Sequence, residues 1–213
     1  MSMTPPPLLL EPLPAEIRSA RLVTIAGAQV EQYVAIVARV TGEAPLVAPM
    51  SGRACVAFDF VLEREPPAGS PEREVYRPVR RLEARPFTIE DDSGRALVDP
   101  RGAFVRLAHD EIKGQLRSGH LADRALGAEL ERKWPRMRLI GHEGALVPGA
   151  TVLVVGVVQG GAPSEAVFRQ SATPLRRIAG GPRHPALVGN HRLDLQSARH
   201  GWRPHDDWSD WLP

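Results

Sequence analysis

One cysteine, Cys55, is all the thiol chemistry this chain has. A disulfide within the chain is therefore excluded, as are a thiolate zinc site and a RING-type module, and a reducing compartment is the natural setting. Aromatic residues are scarce at 5%, and no apolar run approaches the roughly 18 residues that a membrane-spanning helix needs. An excess of one charge is missing too. The formal net charge is +2 over 213 residues, too small for a whole-molecule field that would argue for nucleic acid. Lysine is nearly absent, with only Lys113 and Lys133, so the basic side chains are almost all Arg. Beside the abundant Ala, that reads as the codon bias of a GC-rich genome rather than as an Arg-based binding code. The opening MSMTPPPLLLEPLPAE has no basic segment ahead of its apolar residues and is broken by Pro, so it does not read as a signal peptide. The expected location is the cytoplasm, with room for peripheral attachment to the inner membrane.

What is abundant points to β structure. The 21 Pro and 19 Gly imply many turns and short strands, while 43% hydrophobic and 24% charged residues fit a folded chain. Residues 1–20 read as a Pro-rich leader, with ordered structure starting near Leu22. Strands are expected at Val34–Val40, Ala54–Leu62 and Val75–Glu83, the last carrying Arg77, Arg80 and Arg81 on a solvated face. Pro86 to Ala103 is the clearest hairpin: Phe87-Thr88-Ile89 enters, Asp91-Asp92-Ser93-Gly94 turns, and Ala96-Leu97-Val98 returns. A further strand follows at Ala103–Leu107. A helical insertion is then expected near 109–134. Asp110 would cap a short helix through Leu116, and Asp123 a second over Arg124–Lys133, whose Leu126, Leu130 and Trp134 form one apolar stripe ended by Pro135. Arg136–Glu143 alternates like a strand. Thr151–Val158 is the most hydrophobic run and reads as a central buried strand. Ala166–Arg169 and Leu175–Ile178 would add edge strands, and Ala186–Val188 a last apolar contact.

Candidate chemistry is thin. Asp91, Asp92 and Asp99 are of the type that holds a hard cation, but hairpin-turn chemistry accounts for all three. His184, His191, His200 and His205 match no compact zinc spacing and have no Cys beside them. No P-loop, Ser elbow or dinucleotide fingerprint is present, and Cys55, inside an apolar strand, reads as a small buried hydrophobe. The segment 181–213 is an Arg- and Trp-rich tail. The stretch from Ser171 to Pro204 carries six Arg against the single Asp194, and the tail ends with three Trp and three Asp. Arg199, Trp202, Arg203, Trp208 and Trp211 are the candidate partner-binding residues, because Trp and Arg are enriched among interface anchors. Docking of the tail on its own domain is the equally weighted reading, and lying at a membrane interface a third.

Three segments together resemble a known family: APLVAPMSGRACVAFDFVLE (44–63), PFTIEDDSGRALVDPRGA (86–103) and HEGALVPGATVLVVGVV (142–158). A Pro-x-Ser-Gly-x-x-Cys turn, a Pro-Phe-x-x-x-Asp-Asp-x-Gly-x-x-x-Val-Asp-Pro hairpin and a Glu-x-x-Leu-x-Pro-Gly lead into a Val-rich strand are similar to the GIDE domain. That domain, also called beside-a-membrane or BAM, occurs in a mitochondrial ubiquitin ligase and in many prokaryotic proteins. The resemblance spans residues 21–180 and implies a ligand- or protein-binding domain near membranes. It carries over no catalytic residue. Members typically add transmembrane helices, and the eukaryotic ligases a RING; this sequence shows neither, so ligase activity is not expected. The Phe-x-x-x-Asp-Asp-x-Gly segment and the later Val-rich run also resemble the strand layout of OB barrels. The expected fold is mainly β, an antiparallel OB-like barrel with a short helical insertion. The expected function is a non-catalytic binding or scaffold module that recruits a protein partner, with a membrane surface as one expected setting, and without cofactor or metal. Single-stranded nucleic-acid binding on the barrel face is the alternative, disfavoured by the near-neutral charge and few aromatics.

Overall fold

The computed structural model describes residues 14–65, 78–109, 111–113, 116–134, 138–160, 176–181, 183–191 and 195–196. The chain begins with a helical turn α1 (Ala15–Arg18) and strands β1 (Arg21–Leu22), β2 (Tyr33–Thr41), β3 (Leu46–Val47) and β4 (Ala54–Cys55). Next come β5 (Ala57–Glu65), β6 (Val79–Ala84), β7 (Phe87–Asp91), β8 (Gly94–Asp99), β9 (Phe104–Arg106) and β10 (Glu111–Lys113). A 3₁₀ turn at Ser118–His120 leads to α2 (Arg124–Lys133), followed by β11 (Arg138–Leu146), β12 (Thr151–Gln159), β13 (Arg176–Ala179) and β14 (Leu187–Gly189).

Five of these strands close a barrel in the order β2–β7–β8–β13–β12 and back to β2. Four seams are antiparallel; the fifth, β13 against β8, is parallel. Strands one, two, three, five and four in sequence therefore lie side by side, which is the OB-type arrangement. The interior follows from the two-residue period of a strand. Val34, Ile36, Ala38 and Val40 of β2 alternate inward, as do Phe87 and Ile89, Ala96 and Val98, and Val152, Val154 and Val158. Ile25 and Ala28 join this core from the loop ahead of β2. On the outside of β2 and β12, Ala35, Leu153 and Val155 are covered by Ile17 and Ala20, so α1 belongs to the folded body rather than to a leader.

A second sheet grows from two insertions in the barrel. β5 and β6 come between β2 and β7, and β10 and β11 between β8 and β12; together they pair as β10–β11–β5–β6, all antiparallel. Phe58, Phe60 and Leu62 of β5, with Leu139 and Ala145 of β11, face Leu116, Leu121 and Leu130. Leu126 and Trp134 pack on the same cluster, so the stripe on α2 is a core contact. Asp123 caps α2, its Oδ1 accepting from Leu126 N at 3.0 Å.

Several expectations need correction. The residues after position 110 form β10 instead of a helix, because Glu111–Lys113 find an open ladder on β11. Arg176–Ala179 is a barrel seam between β8 and β12, not an edge strand. Ala186–Val188 leads into β14, which pairs with both β12 and β9, so the β structure continues past residue 180. Ala166–Arg169 lies outside the described residues.

Candidate functional site

Two features offer recognition chemistry: a cleft in the barrel wall and a buried polar cluster beneath the second sheet. The cleft arises from a break in strand pairing. One side of β2 pairs with β12 over Tyr33–Arg39. On its other side β1 pairs with Val34 and Ala35, and β7 with Arg39, Val40 and Thr41. No strand pairs with residues 36–38 on that second side among the described residues. Val23 N donates to Ala35 O at 3.0 Å, so by strand alternation the N–H and C=O of Val37 face the same gap. The opening is a cleft of about 860 Å³ lined by Leu22, Val23 and Val37 with Gln29, Gln32 and Asp92.

The hairpin turn forms one wall of the cleft, and its acidic residues are used to build it. Asp91 Oδ2 accepts from Ile25 N at 2.8 Å, while Oδ1 accepts from Ser93 N at 2.8 Å, the Ser93 hydroxyl at 2.6 Å and Gly94 N at 3.1 Å. Ser93 Oγ accepts from Ala26 N at 2.9 Å. Burial alone would raise the Asp91 pKa, but these donors outweigh it and hold the carboxyl below its ordinary value. Asp99, at the far end of β8, is held by Arg101 first and then Arg177, and its carboxyl too lies below the ordinary range. Asp91, paired with Gly94 across the turn, and Asp99 thus stand at opposite ends of the hairpin, about 17 Å apart at strand rise. Among the described residues no group of three or more His, Cys, Asp or Glu is arranged to hold a metal ion.

The polar cluster centres on Asp59, which is 3% exposed on β5. Arg80 donates to it through Nε and a terminal nitrogen, both at 2.7 Å, and His109 Nε2 lies 3.1 Å from Oδ2. Burial would raise the carboxyl's pKa; the bonds to His109 and Arg80 bring it below its usual value instead. The His109 and His142 rings are 6.5 Å apart, and His142 Nε2 is 3.6 Å from Glu63. That distance is too long for a hydrogen bond, and Nε2 of the buried His142 has no hydrogen-bond partner among the described residues. His191 is held below the ordinary imidazole range by burial, with Arg106 and His109 adding repulsion. The segment after β9 reaches this cluster by crossing over β11 at Gly144. The arrangement orients an imidazole with a carboxylate, and Asp59 is its one hydrogen-bonding partner for His109 among the described residues.

The motif residues behind the resemblance meet physically. The fully buried Glu143 accepts from Met50 N at 2.6 Å and Ser51 N at 3.1 Å, so the carboxylate of Glu-x-x-Leu-x-Pro-Gly holds the Pro-x-Ser-Gly turn. Cys55 lies in the same core, where burial and then the Glu143 charge push its thiol up to about 11. His184 stacks against Tyr33 at 4.8 Å between centroids. His200, His205, Arg199, Trp202, Arg203, Trp208 and Trp211 lie outside the described residues. Sequence reasoning missed Asp59, His109 and His142 as a group. The available signal was Asp59 itself, a lone carboxylate in the apolar run Ala54–Leu62, where a charge must find a partner.

No protein-family model, no curated protein and no solved structure matches the chain.

Proposed function

We propose that this chain is a non-catalytic binding module that recruits a protein partner on an OB-like barrel. The observation that supports this reading is the break in the barrel wall at residues 36–38. There a backbone donor and acceptor, those of Val37, face a cleft with apolar and polar walls. An extended peptide can pair with that backbone while setting a side chain against Leu22, Val23 and Val37, the general mode of strand addition to an exposed edge. Attachment at a membrane surface rests on the GIDE resemblance, and a cytoplasmic setting on the single buried cysteine. Among the described residues, no helix is long and apolar enough to cross a membrane.

The nucleic-acid alternative looks to the outer face of β7 and β8. The outward residues there are Thr88, Glu90, Arg95, Leu97 and Asp99, none of them aromatic. Arg95 is paired with Glu90 at 3.2 Å, and Asp99 with Arg101 and Arg177. Sequence-tolerant single-strand sites instead combine free basic groups with stacking rings, so the face favours the protein reading.

The test is selection of a displayed peptide library on the full chain. Enriched sequences should bind wild type and Thr88→Arg equally, and lose binding to Val37→Arg. Retention by Val37→Arg would remove the cleft from the reading. Salt-steep binding of a single-stranded oligonucleotide would put the alternative in its place. The tail residues are tested by deleting 197–213, since β14 ends at Gly189 and Asn190 bonds to Arg106 O and Ala108 N. Undiminished peptide binding after that deletion would take Arg199, Trp202, Arg203, Trp208 and Trp211 out of the site.

A further inference from the structure

The second sheet ends on β6, whose only strand partner among the described residues is β5. Val79 and Leu82 on this edge are 39% and 43% exposed. Arg85 N donates to Val56 O at 2.9 Å, directed toward β5. By alternation, Val79, Arg81 and Glu83 also turn their backbone groups to β5, and Arg80, Leu82 and Ala84 turn theirs outward. On that outward side Pro78 and Pro86 bracket the strand, each lacking a backbone N–H. Pairing on this edge would therefore centre on Leu82 and stop at a proline on either side.

We propose that this edge pairs with β6 of a second copy of the chain, antiparallel about a twofold axis at Leu82. The symmetry restricts the register. An axis perpendicular to a sheet matches even positions with even and odd with odd, because directly opposed side chains share a face. Centred on Leu82, the register sets Leu82 against Leu82 of the second copy and Arg80 against Ala84. It also sets Pro78 against Pro86, outside the ladder. On the opposite face it places Arg81 against Glu83 twice. That extends a chain of alternating charge already present, because Arg81 reaches Asp123 at 3.0 Å and Glu83 is bound to Arg85 at 2.8 Å. Moving the centre to Arg81 opposes two arginines and puts a proline against Ala84. Moving it to Glu83 opposes two glutamates and puts a proline against Arg80. Charge pattern and prolines thus select one register, in which the two four-stranded sheets become one eight-stranded sheet.

The test is sedimentation of the full chain over a concentration series, joined to cysteine cross-linking. Wild type should show a reversible monomer–dimer equilibrium. Glu83→Arg should weaken it about tenfold by opposing like charges at both Arg81 positions, and Arg81→Glu with Glu83→Arg should restore it. Leu82→Pro removes an outward donor without touching the β5 ladder and should give monomer. Under mild oxidation Leu82→Cys should form a covalent dimer, since paired Cα atoms at about 5.5 Å are within disulfide reach. Arg80→Cys should not, because its two copies lie more than about 13 Å apart along the strand. A monomer at every concentration would overturn the proposal. So would a dimer indifferent to Glu83→Arg and Leu82→Pro, or equal cross-linking at positions 80 and 82.

Discussion

At Gly144 the segment that follows β9 lies directly against β11, and replacing this glycine with Ala tests how the two are joined. A Cβ at this position would stand 2.6 Å from the carbonyl oxygen of Ala108 and 2.9 Å from Leu107 Cβ. Ordinary contact would be several tenths of an ångström longer, and the nearer atom is backbone, which no rotamer change can withdraw. Overpacking of this kind costs about 1–3 kcal/mol, and the backbone obstacle places Gly144→Ala at the upper end. Against it stands the gain of about 0.5–1 kcal/mol from replacing Gly inside a strand. The expected net loss is about 2 kcal/mol, or a Tm lower by about 4–8 °C for a chain of this size. Urea unfolding followed by circular dichroism would measure it. Gly119→Ala is the control, because a Cβ there meets nothing within 4 Å, and it should stay within about 0.5 kcal/mol of wild type. If Gly144→Ala were as mild as Gly119→Ala, the segment 107–109 would not be pinned on β11 as described, and the route by which His109 reaches Asp59 would fall with it.

Asp59→Asn should destabilise the chain at neutral pH by about 2 kcal/mol, the low side for a broken buried pair because the Arg80 side chain is half exposed. Since the Asp59 carboxyl is depressed in the folded state, its stabilisation is present above the ordinary Asp value of about 3.9 and fades as pH falls through the lower folded value. Unfolding at pH 7 and pH 3 should therefore show the mutant gap closing in acid, and a constant gap would contradict the reading. Leu130→Ala, at a site 5% exposed under the second sheet, should cost about 2–4 kcal/mol in the same urea assay; a cost under about 1 kcal/mol would mean that α2 is not a core element. The Cys55 thiol, buried and pushed up to about 11, should react with a disulfide reagent at pH 8 only after denaturant is added, and rapid stoichiometric reaction of the native chain would refute its burial.

Local pattern revealed those elements whose partners are near in sequence or whose period is long. β2, β7, β8, β12 and the Asp123 cap of α2 could be read because alternation over five to nine residues, or one capping carboxylate ahead of an apolar stripe, carries its own signal. β13 could not be recognised as a barrel seam, because four residues, Arg176–Ala179, become one only by lying parallel to β8, some 80 positions earlier. The same holds for β10, where the propensity of a short segment yielded to an open ladder on β11. The Asp59 cluster is assembled from positions 50 and 21 residues apart. Only the oddity of a carboxylate within an apolar run pointed to it.

Three carboxylates of these motifs share one physical fate. Asp91 is filled by Ile25, Ser93 and Gly94, Asp99 by Arg101 and Arg177, and Glu143 by Met50 and Ser51. Each joins segments far apart in the chain: the loop before β2 to the hairpin, β8 to β13, and β11 to the turn before β4. A carboxylate with its lone pairs taken by backbone donors and guanidinium groups has little capacity left for a cation or a substrate. These motifs therefore locate the framework, and recognition falls to the places where pairing is incomplete. Among the described residues two such places are the gap at Val37 in the barrel wall and the outer edge of β6. The two lie on different sheets and offer different chemistry, a pocketed backbone pair in one and a proline-bounded, charge-patterned strand in the other. Val37→Arg should thus leave self-association unchanged, and Glu83→Arg should leave peptide binding unchanged. Loss of both properties in either variant would mean that the cleft and the edge form a single interface.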